Sequence, residues 1–324
     1  LPDFAKLNQS VESINLKPKK IILIIGESAN KHHYKTYGYN NNSDPFLYEI
    51  TKNKNIGYSV NDAISPASIT IESVPRQLTF ASPLNFNEYY TYFNVVELAN
   101  HANYETSWIS NQRKVGSNES AIGAIATSSK QSIFVQKGDT EISFSLDSEL
   151  LAPFKKLLKR DNTPQFIALH LVGSHLDYRD KHDDSDYIAV KDSPDLYRHY
   201  DASIHHTDKV IKSVYETLKP LGNSLIIYMP DHGEKVNVGH GLNVLDRSQY
   251  EIPLIAIGES KYLDQFKLLI EKYSEQKNTF NTSNMIYVLS EMMGYGFSEE
   301  STKKAIFEGG YIFHVNQKYY SENF

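Results

Sequence analysis

Lys20-Ile21-Ile22-Leu23-Ile24-Ile25-Gly26-Glu27-Ser28 is an unbroken aliphatic run that ends on a carboxylate. A strand with one wet face alternates apolar and polar residues, whereas a parallel strand covered on both faces reads as continuous hydrocarbon. Two other runs share this form. Leu225-Ile226-Ile227-Tyr228-Met229 leads into Pro230-Asp231-His232-Gly233-Glu234, and Phe166-Ile167-Ala168-Leu169-His170-Leu171-Val172 leads into Gly173-Ser174-His175. Open α/β sheets bind ligands just beyond the carboxyl ends of their strands. The three runs therefore predict a carboxylate, an Asp-His pair and a lone His gathered at one sheet edge, a set suited to a metal ion.

Working outward, strands alternate with helices, which points to an α/β sheet rather than a helical bundle or a β-sandwich. The first twenty residues are mixed and end in Lys17-Pro18-Lys19-Lys20. Pro45 behind Ser43 and Asp44 predicts a short capped helix over Asp44–Lys52. Gly57–Ile64 reads as a strand, Ser65-Pro66-Ala67-Ser68 as a loop, and Thr70–Phe80 as a helix start constrained by Pro75. Val95–Ala102 reads as a helix and Thr106–Ser110 as a strand. Leu150, Leu151, Phe154, Leu157 and Leu158 recur at helical spacing within Asp147–Arg160. Asp177–Asp195, rich in Asp, Lys and His without periodicity, reads as a long surface loop over the site. A long helix is expected over Tyr197–Leu218, a strand over Ile252–Ile257, and helices over Lys261–Tyr273 and Thr282–Met293. No repeat or domain-breaking linker interrupts the chain, so a lead-in over 1–19 and a single domain over 20–324 are expected.

The chain has 324 residues, 40% hydrophobic and 22% charged, a globular balance with enough length for a large core. Its net charge of −6 and pI near 6.1 argue against a general nucleic-acid binder. No run reaches the ~18 apolar residues that would cross a bilayer. The chain starts at Leu1 and reads as an excised soluble portion of something longer. Cysteine is absent, which removes disulfides, thiolate metal sites and cysteine nucleophiles.

Asp and His are ordinary Zn²⁺ ligands, and on the loop beyond a strand two adjacent residues can converge on one ion. Gly233 permits a tight backbone there, and Gly239-His240-Gly241 adds a second His. Glu27 alone would be a solvated strand end; its value depends on the sheet placing it beside Asp231. Any covalent chemistry falls to a Ser or Thr hydroxyl, which needs a base or a metal to become nucleophilic. Ser68, Thr70 and Ser73 all lie near a predicted helix N-terminus, where free N–H groups favour an anion, and composition does not choose among them. His170, inside an apolar run, reads as a core histidine with its hydrogen bonds satisfied. His205-His206 receives no role, and Asp183-Asp184-Ser185-Asp186 reads as a solvated acidic loop.

In order, these motifs resemble the catalytic domain of the phosphoethanolamine transferases, in the alkaline phosphatase/sulfatase superfamily. The resemblance runs from about Lys20 to Gly258. It rests on Gly26-Glu27-Ser28-Ala29-Asn30-Lys31, Tyr37-Gly38-Tyr39 with Pro45, Thr70-Ile71-Glu72-Ser73-Val74-Pro75 and Trp108-Ile109-Ser110-Asn111-Gln112. It continues through His170-Leu171-Val172-Gly173-Ser174-His175, Tyr200-Asp201, Asp231-His232-Gly233-Glu234 and His240. It implies an alkaline phosphatase-like α/β/α sandwich with a largely parallel central sheet flanked by helices. It further implies a catalytic Zn²⁺ held by Glu27, Thr70, Asp231 and His232, with Thr70 as the nucleophile. His175 and His240 would act at the phosphoryl group or at a second metal ion, one of them as a proton donor, and Asn111 and Gln112 would contact substrate. The donor implied is phosphatidylethanolamine and the acceptor a cell-envelope glycolipid or glycan such as lipid A or lipooligosaccharide. The chain would be a monomeric domain on the periplasmic face of a bacterial inner membrane, with its N-terminal transmembrane domain missing.

The sequence departs from the family in three places. Relatives often carry disulfides here and this chain has none; Asn30-Lys31 stands where an Arg is frequent; and the nearest counterpart of a phosphoryl-contacting Lys is Lys114. Rival readings share the site. A phosphoglycerol transferase or phosphodiesterase would use the same metal residues, and a degenerate binding module would be expected to have lost some of them. A sulfatase needs Cys/Ser-x-Pro-x-Arg, whereas Ser73-Val74-Pro75-Arg76 brings the Arg one residue early.

Overall fold

A computed structural model describes residues 5–7, 16–113, 120–136, 145–244, 246–275 and 278–313; Lys114 lies outside them. The central sheet has seven strands. In chain order they are β1 (Lys20–Gly26), β2 (Gly57–Ser59), β3 (Glu105–Ser110), β4 (Gln131–Phe134), β5 (Gln165–His170), β6 (Ser224–Pro230) and β7 (Ile255–Gly258). Across the sheet the order is β2-β7-β6-β1-β5-β3-β4. The stretch from β6 to β4 is parallel, and β7 runs antiparallel to both β6 and β2. The three apolar runs are thus the three central strands.

Helices α1 (Pro45–Lys52), α2 (Thr70–Leu78), α3 (Val95–His101), α4 (Ala121–Thr127), α5 (Leu151–Leu157), α6 (Asp184–Ala189), α7 (Arg198–Leu218), α8 (Ser260–Lys272) and α9 (Met285–Met292) surround the sheet. Side chains alternate along a strand, so β1 feeds two cores. Ile21, Leu23 and Ile25 join Val74, Leu78, Val96, Phe266 and Ile286 on one face. Ile22 and Ile24 join Leu47, Phe154, Tyr200, Ile204 and Ile211 on the other. Each fully buried aliphatic side chain contributes about 1.5–3 kcal/mol. The expected α/β/α sandwich is what forms.

Four expectations are corrected. Gly57–Ile64 is not one strand: β2 ends at Ser59, and Ala63–Ile64 joins a separate three-stranded sheet with Glu251–Ile252 and Phe280–Asn281. The Ile252–Ile257 strand divides for the same reason, since Glu251–Ile252 and β7 serve different sheets. Asp177–Asp195 is not a bare loop, for it folds into a 3-10 turn at Tyr178–Lys181 and then α6, whose capping box is Asp183 with Asp186. The α1 cap also differs. Asp44 turns to the Lys35 and Thr36 amides, while Asp208 of α7 accepts from Phe46 N and Leu47 N at 2.9 Å. Burial pushes the Asp208 carboxyl up to about 8.

Within the lead-in, Ala5–Leu7 pairs antiparallel with Tyr295–Phe297. Among the described residues no helix is long and apolar enough to cross a membrane.

Candidate metal centre and active site

Glu27 and Asp231 each stand one residue past the end of a strand, and the register that sets Gly26 opposite Pro230 makes them neighbours. The two exits are tied together: Asp231 N donates to Gly26 O at 3.0 Å and Ala29 N to His232 O at 2.9 Å. Ser28, in the left-handed region at φ 54°, donates its N–H to Asp231 Oδ1 at 3.2 Å and its hydroxyl to Glu27 Oε1 at 2.8 Å. Behind Glu27, Gly173 also has positive φ, and a Cβ there would stand 2.7 Å from the Glu27 carbonyl oxygen. Gly173→Ala is therefore expected to cost about 1–3 kcal/mol and to displace Glu27. A fall in denaturant midpoint with unchanged m would show this; an unchanged midpoint would refute the tight approach. Gly233 is equally hemmed in, because a Cβ there would overlap the Ser248 carbonyl oxygen.

Glu27, Asp231 and His232 are buried. His232 Nδ1 donates to Gly233 O at 2.7 Å, which fixes the tautomer and leaves Nε2 facing the carboxylates. That Nε2 lies 3.2 Å from Glu27 Oε1 and 3.4 Å from Asp231 Oδ2. Burial opposes the Glu27 charge, but the His232 hydrogen bond and charge hold its carboxyl well below the usual range. Burial, then the Glu27 charge, pushes Asp231 up to about 8. Burial works against the His232 imidazolium, yet Asp231 and Glu27 raise it to about 10. Protons thus offset a negative charge that two buried carboxylates cannot carry alone.

Asp231 Oδ2 has no hydrogen-bond partner, an uncommon state for a buried carboxylate oxygen. One ligand atom from each of Glu27, Asp231 and His232 lies within 4.8 Å of the others. Two carboxylates and an imidazole whose Nε2 faces them suit a divalent ion such as Zn²⁺, which would take the place of the protons they hold. The residues fit the group.

Thr70 completes this corner. It opens α2, with its hydroxyl 3.1 Å from Glu27 Oε2 and 3.4 Å from His232 Nε2. The other candidates are placed differently: Ser68 is buried, and Ser73 donates its hydroxyl to the Asp231 carbonyl oxygen at 2.5 Å. Gln77 on the same helix donates to Pro230 O at 3.1 Å, which holds α2 against the end of β6.

His175 and His240 face one another with ring centroids 5.7 Å apart, and with Glu27 they form a second group whose ligand atoms lie within 4.8 Å. Each donates Nδ1–H within the protein, His175 to Leu176 O and His240 to Glu234 Oε2, so each leaves Nε2 free. Gln112 reaches the site, donating to Glu27 Oε2 at 3.3 Å and to Leu171 O at 2.7 Å. Asn111 does not. Its amide turns the other way, to Ser145 O at 2.7 Å and Asp147 Oδ1 at 2.9 Å.

Several residues with a part in this arrangement escaped sequence reasoning. Glu234 is buried and accepts from both His240 and Tyr178 OH, which orients the His240 ring. Asp147 accepts from the Val172 and Gly173 amides and so shapes the turn that carries His175. His170 is buried as expected but not satisfied, since its Nε2 has no partner. The supposed acidic loop hides Asp186, fully buried and bound by His205 Nδ1 at 2.7 Å, His206 Nδ1 at 2.8 Å and Lys209 Nζ at 2.8 Å. Lys209 also reaches Asp183 at 3.0 Å, so an ammonium already compensates that cluster.

A model of the sulfatase family matches residues 19–295. The putative transferase YhbX of Escherichia coli (strain K12) is 31% identical over 282 residues, 84% of this chain and 48% of that protein. The phosphoethanolamine transferase EptC of the same organism is 22% identical over 300 residues, 87% of this chain and 52% of that protein. The chain spans about half the length of the curated relatives it matches. The crystal structure of the C-terminal periplasmic domain of Escherichia coli EptC in complex with Zn superposes with a TM-score of 0.78 at 22% identity, covering 92% of this chain and 87% of that one. At that identity the likeness concerns the fold, the α/β/α arrangement expected from the sequence. With a family match over most of its length and a metal-suited site at the strand ends, this chain belongs to the sulfatase family and is a homologue of the phosphoethanolamine transferase EptC.

Proposed function

We propose that this chain is the periplasmic catalytic domain of a membrane-anchored phosphoethanolamine transferase. It would take the group from phosphatidylethanolamine and pass it, through a covalent intermediate on Thr70, to a cell-envelope acceptor such as lipid A or lipooligosaccharide. The observation that carries the reading is the Thr70 hydroxyl, poised at a helix start within 3.4 Å of both Glu27 and His232. No structural observation favours phosphoglycerol transfer, and Ser73 is engaged with Asp231, away from the role a sulfatase would need.

Glu27, Asp231, His232 and Thr70 would hold Zn²⁺, which when bound supplies Lewis-acid stabilisation of phosphoryl charge and eases ionisation of the threonine hydroxyl. Thr70 Oγ1 forms a bond to phosphorus as the bond from phosphorus to the diacylglycerol oxygen breaks. The proton lost by Thr70 equals the one gained by diacylglycerol, and His175 or His240 would relay it through Nε2. In the second half the acceptor oxygen displaces Thr70, which regains its proton. Gln112 steadies Glu27 from the substrate side. His175 and His240 with Glu27 would hold a second ion if one binds. A monomer anchored to the inner membrane by an N-terminal domain completes the reading.

Incubation with phosphatidylethanolamine and phosphatidylglycerol together and no acceptor, followed by intact mass and peptide mapping, is the test. A phosphoethanolamine adduct on Thr70 is expected. A phosphoglycerol adduct, or none, would reject the proposal.

A further inference from the structure

Ser28 follows Glu27 in the left-handed region, at φ 54°, where the chain leaves β1. A residue with a Cβ resists that conformation, which persists only where its surroundings over-determine it. Three of the bonds that hold this turn come from the site itself. Ser174 N donates to Glu27 O at 3.0 Å, Ser28 N to Asp231 Oδ1 at 3.2 Å and Ala29 N to His232 O at 2.9 Å. These partners lie on the same segments as His175, Asp231 and His232. Two further bonds come from one atom on α7. The Tyr200 hydroxyl donates to Ser28 O at 2.7 Å and accepts from Asn30 N at 2.8 Å, and so bridges the turn from outside.

Tyr200 is itself fixed. Its neighbour Asp201 accepts from Tyr39 OH at 2.8 Å and pairs with His33 Nδ1 at 2.7 Å, which seats the first turn of α7 on the chain just beyond Glu27. The rings of His33 and Tyr178 each meet the Tyr200 ring edge to face, with centroids 5.0 Å apart. Asn30 is held as well, donating Nδ2 to Glu234 O at 3.0 Å. Tyr200, Ser28 and Asn30 are all buried. A buried carbonyl and a buried amide are costly to leave without a partner, and phenylalanine at position 200 would strip both while keeping the ring. Movement of Ser28 would carry Glu27 with it, because the Ser28 hydroxyl donates to Glu27 Oε1 at 2.8 Å.

We infer that Tyr200 is a positioning residue for the metal centre: its hydroxyl locks the turn from Glu27 to Asn30 and presets Glu27 for a divalent ion before the ion arrives. The inference rests on the metal-site part of the reading above. Groups that orient a ligand without touching the metal are typically worth about 10–100-fold in metal affinity.

Zinc titration of the metal-free 324-residue chain against a chromophoric chelator tests this, with the site identified as the one that Glu27→Gln removes. Tyr200→Phe is expected to weaken zinc at that site about 10–100-fold. Tyr104→Phe is the matched control. Tyr104 is also buried and donates its hydroxyl to a backbone carbonyl, Pro18 O at 2.8 Å, but at the end of β1 opposite Glu27. Its loss should lower stability and leave zinc affinity unchanged. Unchanged zinc affinity in a folded Tyr200→Phe, or an equal loss in Tyr104→Phe, would overturn the inference. Should Tyr200→Phe not fold, hydrogen exchange in the metal-free wild type gives the answer. The Asn30 amide is expected to exchange slowly without zinc; fast exchange that slows only when zinc is added would show that the metal, not Tyr200, forms the turn. A wild type that binds no zinc at this site would refute the metal reading, and the inference with it.

Discussion

Thr70→Ala is expected to yield a folded protein that forms no phosphoethanolamine adduct and transfers nothing. Among the described residues, the Thr70 hydroxyl is the one hydrogen-bonded to both Glu27 and His232, and on the proposed reading it is the group that bonds to phosphorus. Loss of a nucleophile typically lowers turnover by on the order of 10⁶-fold, far more than loss of a binding contact. Stability should move little, by about 1 kcal/mol or less, because Thr70 is only partly buried and opens α2 without a side-chain cap. Near-zero transfer alongside an unchanged melting transition is thus the expected pair of results. Undiminished transfer would move the nucleophile elsewhere, and unfolding would leave Thr70→Ser as the informative variant, with transfer retained.

Metal removal and Asp231→Asn form the second large effect, and they separate in an informative way. Chelation of the wild type should abolish turnover and lower the melting temperature. A ligand that binds only the native state at a thousand times its Kd adds about 4 kcal/mol. Asp231→Asn should likewise lose metal and activity, since an amide removes one of two ligating charges. Its metal-free form, however, should be no less stable than the metal-free wild type. Asparagine keeps an oxygen for the Ser28 and His232 amides, and places N–H donors where Asp231 Oδ2 has no partner. It also ends the repulsion from Glu27 that helps push the Asp231 carboxyl up. Metal analysis with melting curves of all four states would check this. Full turnover by chelated wild type would refute the metal-dependent reading.

The parts of the site that sequence reasoning reached, and those it missed, differ in how far apart the interacting residues lie. Ile21–Ile25, Phe166–His170 and Leu225–Met229 are legible because burial on both faces leaves a continuous apolar run, a property of neighbouring residues. Strand ends in an open sheet then locate Glu27, Asp231, His232 and His175 in one place, and Gly173 and Gly233 mark the tight turns beside them. The rest depended on partners far away in the chain. Gly57–Ile64 has strand character throughout, but only its pairing with β7 and with Glu251–Ile252 divides it between sheets. Asp147 and Asp186 look like surface acids until the Val172 and Gly173 amides, or His205, His206 and Lys209, close around them.

By itself, then, the sequence determined an α/β sheet with metal-type residues at the ends of its central strands, because side-chain periodicity and burial are written into consecutive residues. Only the tertiary structure decided that the Thr70 hydroxyl faces Glu27 and His232 while Ser73 binds Asp231. It alone separated Gln112 at the site from Asn111 behind it. It alone left Trp108 Nε1 and His170 Nε2 without hydrogen-bond partners and opened a cavity beside Thr70. Those choices depend on which atoms packing brings within about 3 Å across 40 to 200 residues of chain, and hydrogen bonding at that range has no signature in local pattern.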